Sequence, residues 1–115
     1  MGAPVVHFEV IGRDFEAMRR FYGELFDWEL NPAGPADYAI VGPQDGQGIG
    51  GGVGGAGDRA YGVTFYAQVT DLATALGRAE ELGGERAMEP TQVAEGTWAA
   101  QFRDPEGHLI GLVQS

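Results

Sequence analysis

Apolar and polar residues alternate from Val5 to Ile11, and beyond a short polar break apolar residues recur at spacings of three and four as far as Leu25. The alternation predicts a strand with Val6, Phe8 and Val10 on one face and His7, Glu9 and Ile11 on the other. The wider spacing predicts a helix capped by Asp14, turning Phe15, Met18, Phe21, Tyr22 and Leu25 toward a core and ending near Phe26. The same succession returns 57 residues later in VTFYAQVTDLATALGRAEEL. There Val63, Phe65, Ala67 and Val69 form the helix-facing row, with Thr64, Tyr66 and Gln68 opposite. Asp71 caps a helix through Leu72, Ala75, Leu76, Ala79 and Leu82, and Gly83-Gly84 closes it. Strands are expected at 28–30, 38–41 and 49–53 after the first helix, with NPAGPA at 31–36 as a turn. After the second helix they are expected at 86–88, 97–103 and 109–113, the last two joined by the tight turn Asp104-Pro105-Glu106-Gly107. Each half therefore reads as a βαβββ unit. Residues 1–58, closing on a glycine-rich linker, form the first and residues 59–115 the second, together one α+β domain.

At 115 residues the chain is expected to be one domain, or two small halves fused around shared cores. It has no cysteine, which excludes disulfides, thiol nucleophiles and thiolate metal sites. Its net charge of -10, from 17 acidic and 7 basic residues, argues against a nucleic-acid partner and would steer a cationic small molecule inward. The opening MGAPVV lacks the basic and apolar regions of a leader, and no apolar run approaches membrane-spanning length. The expectation is a cytoplasmic protein with no membrane partner. Ser115 is the only serine, so a Ser-His-Asp triad is not available. The glycine-rich run GQGIGGGVGGAG at 46–57 is followed by neither Gly-Lys-Ser/Thr nor a helix. It is read as a strand whose missing side chains leave room for a ligand or a neighbouring subunit, not as a phosphate loop.

The phenylalanine-tyrosine pair Phe21-Tyr22 beyond the first cap and the Phe-x-Asp-Pro-x-Gly turn at 102–107 add to the duplicated unit. Together they make the chain resemble, over essentially its whole length, the glyoxalase, bleomycin-resistance and extradiol-dioxygenase proteins, the vicinal oxygen chelate superfamily. That resemblance implies two tandem βαβββ units forming a curved mixed sheet, a cup with helices on the outside. Strand faces turned away from the helices would line its cavity. The superfamily's metalloenzymes hold a divalent metal with up to four side chains, two from each half. Here the first position falls on His7, the fourth-strand carboxylate within 50–52 (all glycine), the third on Thr64 and the last on Gly111. A catalytic zinc needs about three protein ligands, and although Glu9 could supply a second, no third is evident. His108 is expected to point away from the cup or to sit at the turn. No metal or other cofactor and no catalytic residue is therefore assigned.

The reading is a metal-free cup that binds a small organic ligand, aromatic or cationic, like the drug-sequestering bleomycin-resistance proteins, in a homodimer. The residues assigned to the ligand are His7, Glu9, Tyr38, Ile40, Gly51, Thr64, Tyr66, Gln68, Trp98, Gln101 and Gly111. Phe102 and Trp98 share the apolar row of Ala100, so Phe102 is read as core, while a bulge near Gly96 would be needed to turn Trp98 to the cavity. The alternative is a metal-dependent lyase, isomerase or dioxygenase with an atypical ligand set. A third possibility is an interaction subunit whose cup is filled by its own side chains.

Overall fold

In the computed structural model the described residues are 2–33, 37–56 and 62–114. The alternating start forms β1 (Val5–Gly12). Asp14 then takes an extended backbone and its Oδ1 accepts the Ala17 N–H at 3.0 Å, which starts α1 (Phe15–Phe26); the left-handed Asp27 ends it. The chain continues through β2 (Asn31–Pro32), β3 (Tyr38–Val41), β4 (Gly51–Gly55) and β5 (Gly62–Gln68). Asp71 caps α2 (Leu72–Glu81) through Ala73 and Thr74, and the Leu72 N–H goes to Oε1 of Gln114. The remaining strands are β6 (Glu85–Ala94), β7 (Thr97–Arg103) and β8 (Leu109–Gln114).

These elements form a mixed eight-stranded sheet with two helices, the twofold βαβββ succession expected. Two compact units are present, one of His7–Val63 and one joining Met1–Val6 to Thr64–Ser115. In the first, the strands lie in the order β2-β3-β4-β1, with β1 and β4 parallel and the other pairs antiparallel. In the second the order is β5-β8-β7-β6, the same arrangement with β5 and β8 parallel.

The expected curved cup is corrected: the sheet is not strongly curled. Bulges are what bend a sheet sharply, and the ladders β1/β4, β3/β4, β5/β8 and β7/β8 run in unbroken register. Within the two units the register shifts fall on β6/β7, the outermost pair of its unit, between Arg86 and Ala94. Boundaries also move. No strand forms at 28–30, because Leu30 O accepts from Nη2 of Arg19 at 3.2 Å and the edge pairing falls on Asn31–Pro32. The glycine-rich strand begins two residues later than expected, and β6 is longer at both ends.

Each unit has its own core. Leu30, Ala39, Val41 and Val53 are buried in the first, ringed by Phe8, Val10, Phe15, Met18, Tyr22 and Trp28. Leu72, Leu76, Ala100 and Leu112 are buried in the second, with Ala67, Val69 and Phe102 against them. Phe21 and Leu25, expected in the core, are each 58% exposed, and Val6, Val63 and Phe65 are exposed as well. The reason is where the helices lie: α1 packs over β4, and α2 over β6, β7 and β8. Among the described residues neither helix packs closely on the starts of β1 and β5.

Candidate functional site

Helix-side packing of Phe8 and Val10 fixes the direction of their neighbours, since successive strand side chains alternate. His7 and Glu9 therefore share the opposite face of β1, where they meet Tyr38 from β3. The His7 Nε2 lies 2.8 Å from the Tyr38 hydroxyl, and that hydroxyl donates to Glu9 Oε2 at 2.9 Å. With the phenol proton directed at a carboxylate that only accepts, His7 must donate from Nε2. Burial lowers the His7 pKa below 6.5 and the Glu9 charge opposes that shift. The neutral imidazole thus begins a chain from His7 through Tyr38 to Glu9.

Glycine makes the crossing possible. Tyr38 pairs with Gly54, and Glu9 with Gly52, so the ring must pass over β4 to reach β1. A Cβ on Gly52 would collide with the Tyr38 hydroxyl and ring, and one on Gly54 with the ring edge. Gly51, assigned to the ligand from the sequence, is one residue out of step. It pairs with Phe8, whose ring occupies the space a Gly51 side chain would need, on the helix side. Ile40 shares the Tyr38 face and pairs with Gly52.

The second unit repeats the device with different residues. Tyr66 on β5 pairs with Gly111 on β8, and Gly111 pairs in turn with Gln101 on β7. A Cβ on Gly111 would collide with the Tyr66 ring, and the ring reaches across so that its hydroxyl accepts from Gln101 Nε2 at 3.0 Å. Thr64 lies at the edge of this arrangement, donating its hydroxyl to Leu109 O at 2.6 Å. Gln68 follows Tyr66 by two on the same face, and its backbone N–H is given to Pro4 O. Trp98 is not brought to this group. The β7/β8 register is continuous from Trp98 to Arg103, so Trp98 keeps the helix-side parity of Ala100 and Phe102, and it is 44% exposed.

Tested against a divalent metal, the family positions do not fit. His7 donates to Tyr38, Thr64 donates to a backbone carbonyl, and Gly52 and Gly111 lie beneath tyrosine rings. Among the described residues no three of His, Cys, Asp and Glu are grouped to hold a metal ion. His108 sits at the Asp104 turn, where its ring is 3.0 Å from Asp104 Oδ2. Hydrogen bonds, led by the backbone N–H of His108, hold the Asp104 carboxyl below its ordinary range.

Sequence reasoning missed Gly52 and Gly54, because the register of the glycine run against β3 leaves no local signal. It also missed a concavity of about 350 Å³ in the first unit, lined by Glu16, Arg19, Arg20, Gly23 and Glu24 of α1 with Trp28 and Leu30. That hollow lies on the helix side, whereas the tyrosine, histidine and carboxylate chemistry lies on the other face. The polar constellation, not the hollow, is taken as the site.

Residues 7–113 match a family described as Glyoxalase-like domain. No curated protein matches the chain. Among solved structures, a glyoxalase/bleomycin resistance protein/dioxygenase superfamily member from Vibrio splendidus is similar, with a TM-score of 0.67 at 20% identity, covering 99% of this chain and 100% of that one. A structure described as an NAD-dependent benzaldehyde dehydrogenase from Legionella pneumophila gives 0.69 at 16% identity, over 94% and 96%. A methylmalonyl-CoA epimerase from Mycobacterium tuberculosis gives 0.66 at 15%, over 96% and 86%. At these identities the likeness is one of fold.

Proposed function

The chain belongs to the glyoxalase-like domain family, and from that premise we propose that it binds a small planar organic molecule without a metal, as a sequestering protein of the bleomycin-resistance kind. The observation that carries this reading is the tyrosine ring laid over glycine in each unit. A ring held flat by a hydrogen bond at its tip and by a bare backbone beneath presents a fixed aromatic surface, with polar groups at its edge to orient a ligand. Two of the family's metal positions are glycine, the Thr64 hydroxyl is given to a backbone carbonyl, and no three of His, Cys, Asp and Glu are grouped among the described residues. Antibiotics with fused aromatic rings are the class this surface suits, which makes sequestration of such a drug the favoured role. A homodimer is part of the proposal, supported by the large exposed side chains Phe21, Leu25 and Phe26 along one helix.

The test is a comparison of two variants on opposite faces. Tyr66→Ala is expected to weaken binding of a fused-ring aromatic by about 1 kcal/mol or more while largely sparing the fold. Phe102→Ala is expected to cost about 2 kcal/mol of stability, because Phe102 packs on the Leu72, Leu76 and Leu112 cluster, with little change in affinity for the folded protein. Isothermal titration and denaturant unfolding on both proteins read the two quantities. If Phe102→Ala removes binding and Tyr66→Ala does not, the ligand is on the helix side and the proposal fails.

A further inference from the structure

The two tyrosine surfaces differ in what their partners still offer. Tyr38 both accepts, from His7, and donates, to Glu9. Gln101, by contrast, spends one amide hydrogen on Tyr66, and its side chain forms no other hydrogen bond among the described residues. A primary amide carries two donors and a carbonyl acceptor. Its Oε1 and second N–H therefore remain to be matched, on a half-buried side chain whose position is set by the Tyr66 hydroxyl.

The complement of a donor beside an acceptor is an acceptor beside a donor, and the compact planar group with that edge is a cyclic amide. We propose that the second unit recognises a lactam fused to an aromatic ring, with the ring stacked on Tyr66 and the lactam N–H and C=O paired with Oε1 and Nε2 of Gln101. This deepens the binding function proposed above and rests on it. Geometry favours the pairing over a charged ligand. Gln101 and Thr64 are neutral, so nothing in the Tyr66, Thr64, Gln101 and Gly111 group neutralises a ligand charge, whereas a neutral ligand carries no ionic desolvation cost onto the aromatic face. Gly111 adds specificity of place: its missing side chain lets Tyr66 lie low enough for its hydroxyl to meet Gln101 along the same row of the sheet.

Two probes of nearly equal size separate this inference from the reading beneath it: 2-quinolone, whose lactam N–H is free, and N-methyl-2-quinolone, which has the same rings and carbonyl but no donor. Titration of the full chain, followed by calorimetry or amide chemical shifts, is expected to show the N–H compound binding about tenfold tighter, the value of one well-made hydrogen bond. Gln101→Met keeps the length of the side chain without its amide and is expected to bring the two affinities together. Gln101→Glu keeps an acceptor for the lactam N–H and is expected to retain part of the difference. Equal binding of both probes to the wild-type protein would overturn the lactam inference and leave aromatic binding standing. A difference that persists in Gln101→Met would also overturn it, since the methyl group would then be excluded on size alone. Failure of both probes to bind would overturn the inference together with the binding function.

Discussion

In the first unit the tyrosine ring starts on β3 and crosses β4 to reach β1; in the second it starts on β5, the counterpart of β1, and crosses β8 to reach β7, the counterpart of β3. Register makes the correspondence exact in position though not in residue: the row Ile40, Gly52, Glu9 in one unit matches the row Gln101, Gly111, Tyr66 in the other. What the two rows share is the glycine in the middle. Two sequences with little identity have kept a bare strand at the same place and used it to seat an aromatic ring from opposite directions. The difference lies in the partners, an ionisable chain of His7, Tyr38 and Glu9 in one and a neutral pair of Tyr66 and Gln101 in the other.

The largest effect should come from filling the central glycines. Gly52→Ala and Gly111→Ala each place a methyl group against a ring, and each should destabilise by about 1–3 kcal/mol. Gly52→Ala should lie at the upper end, because displacing Tyr38 also parts it from both His7 and Glu9. Urea unfolding midpoints compare them; a neutral Gly52→Ala would mean that the ring does not rest there. A smaller effect isolates the hydroxyls. Tyr38→Phe removes the hydroxyl that joins His7 to Glu9, and Tyr66→Phe removes the acceptor for Gln101, with expected losses of about 1–2 kcal/mol each. A Tyr38→Phe variant as stable as the wild type would show that the chain from His7 to Glu9 adds nothing to the fold.

The smallest signal is a titration. Burial lowers the His7 pKa, so its neutral form is favoured in the fold; stability is unaffected well above pH 6.5 and declines as the pH falls from there through the lower folded value. The Glu9 charge opposes that shift, so Glu9→Gln should move the His7 titration further down, as followed by its ring proton resonances. An upward move would show that the Glu9 charge does not act on His7.

Much of the fold was legible in the sequence because its signals are local. Asp14 and Asp71 act as the caps their spacing implies, β3 and β7 form over the residues expected, and the Asp104 turn closes as read. Strand parity likewise placed His7 with Glu9, and Tyr66 with Gln101, on the face away from the helices. What was not legible depends on pairing between distant residues. A single step of register separates Gly51, under Phe8, from Gly52, under Tyr38, and no local pattern in GGGVGG distinguishes them. The exposure of Phe21, Leu25 and Phe65 depends on which strands the helices cover, which periodicity does not encode. Curvature was an inference from resemblance, and the unbroken register of the inner ladders overrides it.

Metal-free binding is the claim most directly open to measurement. The purified protein is dialysed exhaustively against a chelator, its residual zinc, iron, nickel and manganese are measured, and 2-quinolone is titrated before and after one equivalent of each divalent ion is restored. The account predicts the same affinity in every case, because the proposed surface is made within one unit by the Tyr66 ring, Gln101 and the glycine beneath the ring, with no metal donor group among them. Binding that disappears on chelation and returns with one metal ion per chain would contradict it.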